Sequence, residues 1–323
     1  MSPQRPFFTE LFRIMNEMAF DYVVLHSWQT LPDEATHDVD MLISAKEKQH
    51  LPALLKEVEK VSGWRFVQKL WYDVPWCFYY VAVSPDGSAS AALDFVSDPN
   101  GVGEYRIRDE AILRNRVFSG LLYHLSTEAE LAYKLAKRRV KGIFREEDVG
   151  FALDYFGRSD PATLRLRMAE LLPQDVSDAM LGIVSDGCDL ETMRRYVKVN
   201  SPAFVLFGRR WRIKPGLSWF VDTIRRIFHR IANPTGVIFY LKDMDVTKRL
   251  SFPAFVFRRE QTVKLSNLTW RRRRAALSSA TLLLVTGCEH DGFDLGSGFV
   301  PFGNGDKVAQ ILSHMQNRLA TNN

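Results

Sequence analysis

The stretch YVVLHSWQTLPDEATHDVDMLI, residues 22–43, predicts two short apolar strands joined by a polar connection. The first strand covers Tyr22–His26 and the second covers Val39–Ile43. Because successive side chains of a strand point to opposite faces, Asp38 and Asp40 are expected on the same face. Two carboxylates at this spacing repel each other unless a cation lies between them, and a divalent ion that prefers oxygen ligands meets this need.

A third aspartate, Asp94, interrupts the apolar sequence Ala91–Val96. A buried, unpaired charge in such a strand is costly, so this carboxylate needs a partner. If its strand lies beside Val39–Ile43, Asp94 joins Asp38 and Asp40 on one face. Three carboxylates can hold two metal ions about 3.5–4 Å apart, which clamp a triphosphate and activate an attacking hydroxyl. A solvent-exposed strand end is the alternative interpretation of the Asp-x-Asp pair, and the third aspartate argues against it.

The surrounding elements predict a mixed α+β domain over residues 1–122. Thr9–Met18 has the periodicity of an amphipathic helix with Thr9 as its N-cap, and Ala45–Val61 that of a second helix ended by Ser62–Gly63. Three strands are then predicted, the last two joined by a turn at residues 84–88: Arg65–Tyr72, Trp76–Val83 and Ala91–Val96.

This arrangement resembles the nucleotidyltransferase-fold superfamily, which includes DNA polymerase beta, aminoglycoside nucleotidyltransferases and CCA-adding enzymes. In that family, a strand ending in Gly-Gly/Ser precedes a short helix, an Asp-x-Asp strand and a later strand with a third Asp. The segment is also similar to a bacterial branch in which such a domain precedes a thymidylate-kinase-like domain. The resemblance implies that Asp38, Asp40 and Asp94 bind metal, that Asp94 also acts as the base, and that Ser27 contacts phosphate.

The sequence departs from the family at the glycine pair, which is replaced by His26-Ser27-Trp28. Glycine lets backbone N–H groups approach a nucleotide phosphate closely, and a residue with a Cβ restricts that approach. Ser27 can still donate a hydrogen bond. Trp28 could stack on a base, although a tryptophan beside a strand end is more often a core residue. We interpret His26 as a structural histidine.

Residues 123–231 predict a helical domain that ends in a basic amphipathic helix, Leu217–Ile231. Its first helix, Thr127–Lys141, begins at a capping pattern and ends at Gly142. Four more helices are expected: Glu146–Phe156, Pro161–Leu172, Val176–Val184 and Leu190–Val199. The first helix carries Lys134, Lys137, Arg138 and Lys141 on one face. In the resembling families such a helix faces the nucleotide, which implies Lys134 or Lys137 as a phosphate contact, whereas a solvated face is the alternative.

Residues 232–323 predict a small α/β region with strands at Val237–Leu241 and Thr281–Thr286, a glycine-rich loop, GFDLGSGFVPFGNGD, and a final helix near Asp306–Leu319. The stretch NPTGVIFYLKDMDVTKRL, residues 233–250, resembles the phosphate-loop region of a P-loop kinase. A working loop needs glycine amides around the phosphates, a lysine, and a hydroxyl for magnesium.

The phosphate loop is degenerate on this comparison. Lys248 occupies the lysine position, but other residues replace the glycines and the Ser/Thr positions: Lys242, Asp245 and Thr247 for the former, Arg249 and Leu250 for the latter. Asp243 and Asp245 would repel a triphosphate, so we expect no ATP binding here. The region is interpreted as a truncated kinase remnant, and an accidental similarity is the alternative.

The formal net charge is +5, and much of it lies in four basic clusters: Lys134–Lys141, Arg209–Lys214, Arg225–Arg230 and Arg271–Arg274. These clusters permit phosphate, RNA or anionic membrane contact, although no recognised nucleic-acid module supports RNA. The amphipathic helix Leu217–Ile231 permits peripheral membrane contact. The three cysteines are far apart and odd in number, which indicates reduced thiols in a cytoplasmic protein. A secretory signal pattern and an apolar run of about 20 residues are both missing.

Two functions remain open. The first is a Mg²⁺- or Mn²⁺-dependent nucleotidyltransferase that moves a nucleoside monophosphate from an NTP to a hydroxyl of a small molecule or glycan precursor, and the resembling fusions associate this with bacterial polysaccharide biosynthesis. The alternative is a catalytically inactive pseudoenzyme that binds a protein partner, and the lost glycines favour it.

Overall fold

The computed structural model describes residues 2–35, 37–71, 77–97, 109–201, 203–206, 209–212, 224, 228, 235–241, 256, 259–278, 281–286, 288–295, 299–301 and 306–321. In these residues the chain is a mixed α+β protein with two sheets of mixed strand direction and a separate two-stranded hairpin.

The first sheet contains seven strands: β1 (Tyr22–Val24), β2 (Val39–Ile43), β3 (Arg65–Trp71), β4 (Cys77–Val83), β5 (Ser90–Val96), β6 (Arg116–Phe118) and β7 (Tyr123–Leu125). Their spatial order is β3-β4-β5-β2-β1-β7-β6. β2 runs antiparallel to β1 and parallel to β5. The strand that carries the Asp-x-Asp pair is therefore the central strand of this sheet.

Helices α1 (Arg5–Glu17) and α2 (Leu51–Ser62) cover one face of the first sheet. α1 begins four residues before the predicted start, with a proline in its first turn, so the prediction that Thr9 is the N-cap is wrong. Proline suits a first turn because the N–H that it lacks has no partner within the helix there. The predicted helix from Ala45 is divided into a 3-10 helix, Ala45–Gln49, and α2, which ends as predicted at Gly63 with φ of 74°.

Six helices follow in the middle of the chain: α3 (Asp109–Leu113), α4 (Thr127–Lys141), α5 (Glu146–Arg158), α6 (Pro161–Leu171), α7 (Gln174–Ser185) and α8 (Leu190–Asn200). They share a buried cluster with Val23, Leu25 and Leu42, on the sheet face opposite α1 and α2. The predicted bounds of α4 are confirmed, because Ser126 caps its first turn and Gly142 ends it at φ of 60°. A short hairpin follows α8, made of β8 (Ala203–Leu206) and β9 (Arg209–Arg212).

The second sheet contains β10 (Val237–Leu241), β11 (Arg259–Lys264), β12 (Thr281–Thr286), β13 (Gly292–Asp294) and β14 (Phe299–Pro301), in the order β11-β12-β10-β13-β14. The first three are parallel, and helix α9 (Trp270–Ser278) connects β11 to β12. The glycine-rich stretch predicted as a loop contains β13 and β14. Helix α10 (Lys307–Thr321) follows, and with the second sheet it shares a buried cluster with β3, β4 and β5.

Two predictions fall on parts of the chain that lie outside the described residues. The degenerate phosphate loop, residues 242–250, is one of them. The helix Leu217–Ile231 is the other, apart from Ile224 and Phe228, which are helical and exposed. Among the helices that the structure describes, none has both the length and the apolar character needed to cross a membrane.

Candidate metal-binding site

Three aspartates come together where β2 and β5 run side by side. Asp40 is the register partner of Asp94, and Asp38 lies just before β2. Their neighbours Val39 and Leu93 belong to the core on the opposite face, under α1 and α2. One ligand oxygen from each aspartate lies within 4.8 Å of those of the other two. The strand adjacency on which the predicted triad depends is confirmed, and the donor set consists of the hard oxygen ligands that Mg²⁺ and Mn²⁺ prefer.

Asp38 and Asp40 have different surroundings. Asp38 is exposed, whereas the side chain of Asp40 is only 16% exposed. Partial removal from water raises the pKa of Asp38, and the like charge of Asp40 adds to this effect. Burial also acts to raise the pKa of Asp40, but Lys137 and His26 outweigh it and hold that pKa well below the usual range. Asp40 therefore stays ionised in the folded protein.

His26 and Lys137 both contact the same oxygen of Asp40. His26 Nε2 lies 2.6 Å from Asp40 Oδ2, and Lys137 Nζ lies 3.5 Å from it. The other oxygen, Oδ1, can then serve as a metal ligand. We interpreted His26 as structural, yet it lies in the site. The position of His26 follows from the pairing of the two strands. The N–H of Leu25 donates to the carbonyl of Asp40, and this hydrogen bond brings His26 beside Asp40.

Ser27 follows His26 in the connection after β1, three residues beyond the end of that strand. Its φ of 57° and ψ of 30° are in the left-handed region, which glycine adopts readily and other residues adopt rarely. The residue is exposed, and its Oγ is 3.4 Å from His26 Nδ1. A 3-10 helix, Trp28–Thr30, follows it. The backbone at this position thus has the conformation for which a glycine would be expected, although the residue is serine.

The basic face predicted for α4 divides between two partners. Lys137 contacts the triad at Asp40, but Lys134 Nζ is 3.4 Å from Asp148 at the start of α5 and 5.0 Å from the centre of the Phe151 ring. Arg138 also donates to Asp148, at 2.7 Å. Burial lowers the pKa of Lys134. Of the two lysines proposed as phosphate contacts, Lys137 is therefore the one beside the carboxylates.

Two contacts fix the side chain of Trp28. Its ring stacks on His124, with the ring centres 3.6 Å apart and the planes 15° apart, and its Nε1 donates to Glu130 Oε2 at 3.3 Å. Glu130 is 2% exposed, and burial raises its pKa. The sequence indicates Glu130 as part of the capping pattern of α4 and as the first residue of a weaker similarity to the family over Glu130–Gly142, without a role at the site. It lies four residues before Lys134 and seven before Lys137, on the α4 face that lies over the site.

The arginine run Arg271–Arg274 forms part of α9, and one of its members is tied to the protein interior. Arg273 donates from Nε and Nη2 to Oδ2 of the fully buried Asp294, at 3.0 and 2.5 Å. Arg271, Arg272 and Arg274 are exposed, and Arg274 lies over the ring of Trp270 at 5.1 Å.

The arrangement as a whole can bind a divalent cation between three carboxylates, next to one histidine, one lysine and an exposed serine. These groups also suit an anionic ligand that shares the cation. Comparison of the chain with protein-family models, with curated proteins and with solved structures found no match.

Proposed function

We propose that the protein is a metal-dependent nucleotidyltransferase, which moves a nucleoside monophosphate from an NTP to a hydroxyl of a small molecule or glycan precursor. The observation that carries the proposal is the meeting of Asp38, Asp40 and Asp94 on adjacent parallel strands, with one oxygen of each inside 4.8 Å. The turn after β1 supports it, because Ser27 has the left-handed conformation that suits a phosphate-binding loop.

The order of elements supports a nucleotidyltransferase fold for the first sheet. β1 leads through a one-turn helix to the Asp-x-Asp strand, and the third aspartate lies on β5, its parallel neighbour. For the second sheet we propose a degenerate remnant of a P-loop kinase. Three parallel strands with a helical crossover support this, and residues 242–250 follow the strand β10, where a phosphate loop would stand.

In the proposed reaction the acceptor hydroxyl oxygen forms a bond to the α-phosphorus. The bond from that phosphorus to the bridging oxygen breaks, and pyrophosphate leaves with the electron pair. Divalent ions held by the triad would neutralise the triphosphate charge. Asp94 takes the hydroxyl proton, and Ser27 donates to a phosphate oxygen. Lys137 neutralises Asp40 and lies where it can contact the anionic substrate, which fixes the substrate position beside the carboxylates.

Asp38→Asn tests the proposal with little risk to folding, since Asp38 is exposed. We expect the parent protein to gain thermal stability from an NTP only when Mg²⁺ or Mn²⁺ is present, and we expect Asp38→Asn to lose this gain. Asp33→Asn is the matched control, because Asp33 lies in the same connection between β1 and β2 and pairs with Arg5 on the surface. Equal metal-dependent shifts in all three proteins would contradict the proposal.

A pseudoenzyme that binds a protein partner is the second candidate. The observation in its favour is that His26 and Lys137 already satisfy Asp40 Oδ2 without a metal. This candidate predicts that neither Mg²⁺ nor Mn²⁺, alone or with any NTP, changes the melting temperature of the parent. The same titration therefore separates the two candidates.

A further inference from the structure

The turn that carries Ser27 is held by side chains from two helices. Trp28 donates from its indole Nε1 to Glu130 on α4, and its ring stacks on His124. Gln29 Nε2 donates to the hydroxyl of Tyr155 on α5 at 2.8 Å. Two successive residues of the 3-10 helix are thus fixed from the same side of the molecule.

Glu130 and Tyr155 also act on each other electrostatically. Burial raises the pKa of Tyr155 to about 12, and the nearby Glu130 carboxyl adds to this effect, so the hydroxyl keeps its proton. The Tyr155 ring stacks on Phe151 with 4.0 Å between ring centres, which restricts where the hydroxyl can point. Neighbouring residues of the turn are therefore held by two different helices, Trp28 by Glu130 on α4 and Gln29 by Tyr155 on α5.

These two contacts have a specific consequence for Ser27. A left-handed backbone is unfavourable for a residue with a Cβ, and it persists where the surrounding structure fixes it. Ser27 itself is exposed, so its conformation is fixed through its chain neighbours. His26 contacts Asp40 on one side, and Trp28 and Gln29 are held by the helices on the other. We propose that Glu130 and Tyr155 are positioning residues, which hold the turn Ser27–Thr30 in the conformation that presents Ser27 to the nucleotide phosphate. This inference rests on the function proposed above.

Single-group deletions test the inference. Trp28→Phe removes the indole N–H and keeps an aromatic ring against His124, and Tyr155→Phe removes the hydroxyl and keeps the ring against Phe151. We expect each variant to bind Mg–NTP about 3- to 10-fold more weakly, the range for the loss of one hydrogen bond. Mn²⁺ affinity without nucleotide should stay within about twofold of the parent, because the triad is unchanged. A purely structural defect would weaken both affinities.

Glu130 supplies the rescue experiment. Glu130→Gln keeps an oxygen acceptor for the Trp28 indole, whereas Glu130→Met has a similar length and no such acceptor. We expect the methionine variant to lose Mg–NTP affinity and the glutamine variant to recover most of it. Tyr196→Phe, which removes a hydroxyl on α8, is the control and should bind nucleotide as the parent does.

Hydrogen exchange at residues 27–31 provides a readout that needs no nucleotide. We expect faster exchange there in Trp28→Phe and Tyr155→Phe, and parent-like exchange in Tyr196→Phe. Parent-like exchange in all variants, or equal nucleotide affinities, would overturn the positioning role while leaving the proposed function intact. If exchange is faster in the two variants but the parent protein binds no nucleotide, the proposed function is overturned. The role of the turn in phosphate binding is then overturned with it.

Discussion

At the scale of single residues, Glu130 is a carboxyl buried beside the candidate site, with an exposure of 2%. Burial raises its pKa, and the hydrogen bond from the Trp28 indole, together with His26 and Lys134, lowers it without reversing the shift. The folded protein therefore holds this proton more tightly than the unfolded chain does. The stability that follows from the raised pKa is present below the ordinary value of 4.5 and is lost as the pH rises through the folded value.

Glu130→Gln should remove this pH dependence. We expect the melting temperature of the variant, relative to the parent, to increase as the pH is raised from 4.5 towards 8, because only the parent must keep a charged group buried there. Thermal unfolding at a series of pH values measures the difference. Glu146→Gln, at an exposed position of α5, should give a difference that hardly changes with pH. A flat profile for Glu130→Gln would contradict the raised pKa.

At the scale of elements, α4 carries Lys137 and Lys134 and ends at a glycine. Gly142 ends this helix at φ of 60°, and a Cβ there would lie 3.1 Å from Ser201 Cβ. Gly150, inside α5, is helical, and a Cβ there would meet nothing within 4 Å. A Cβ is therefore unfavourable at Gly142 and is accommodated at Gly150, although both glycines lie in the same helical layer.

Alanine at the two glycines should change stability in opposite directions. Gly142→Ala should lower the free energy of unfolding by about 1–2 kcal/mol, since it strains a left-handed backbone and crowds Ser201. Gly150→Ala should raise it by about 0.5–1 kcal/mol, because alanine lowers the entropy of the unfolded chain. Chemical denaturation of both variants provides the measurement. A loss of stability at Gly150 would show that α5 is not an ordinary helix at that point.

The elements that could be predicted from the sequence are those with local signals. α4 has a capping serine, an apolar period and a terminal glycine, and its bounds agree with the prediction. β6 and β7 were missed because each has only three residues, and because β7 joins the sheet through β1, which is distant in the chain. The aspartates could be found because alternation places them on one face, and neighbouring strands bring them together. The contact between Trp28 and Glu130 could not be predicted, because 102 positions separate the two residues and no sequence pattern links them.

At the scale of the whole molecule, the two sheets share a core on the face that carries Asp40 and Asp94. The helical layer covers this face at β1 and β2, and the second sheet with α10 covers it at β3–β5. Asp40 and Asp94 lie on the two neighbouring strands where one covering layer gives way to the other. The second sheet therefore borders the site, and its position affects how a ligand reaches Asp40 and Asp94.

Gln68 is the polar link between the two sheets. It is 2% exposed, and its Nε2 donates to the carbonyls of Thr235 and Val256 at 2.9 and 2.8 Å. Gln68→Met removes this donor from two carbonyls, which should lower the free energy of unfolding by about 1–3 kcal/mol. Hydrogen exchange should increase at residues 235–241 and stay unchanged in α4, because α4 packs in another cluster. Gln174→Met is the control, since Gln174 is exposed on α7. If Gln68→Met increased exchange equally in β10 and α4, Gln68 would not hold the second sheet in place by itself. The two layers would then unfold as one unit.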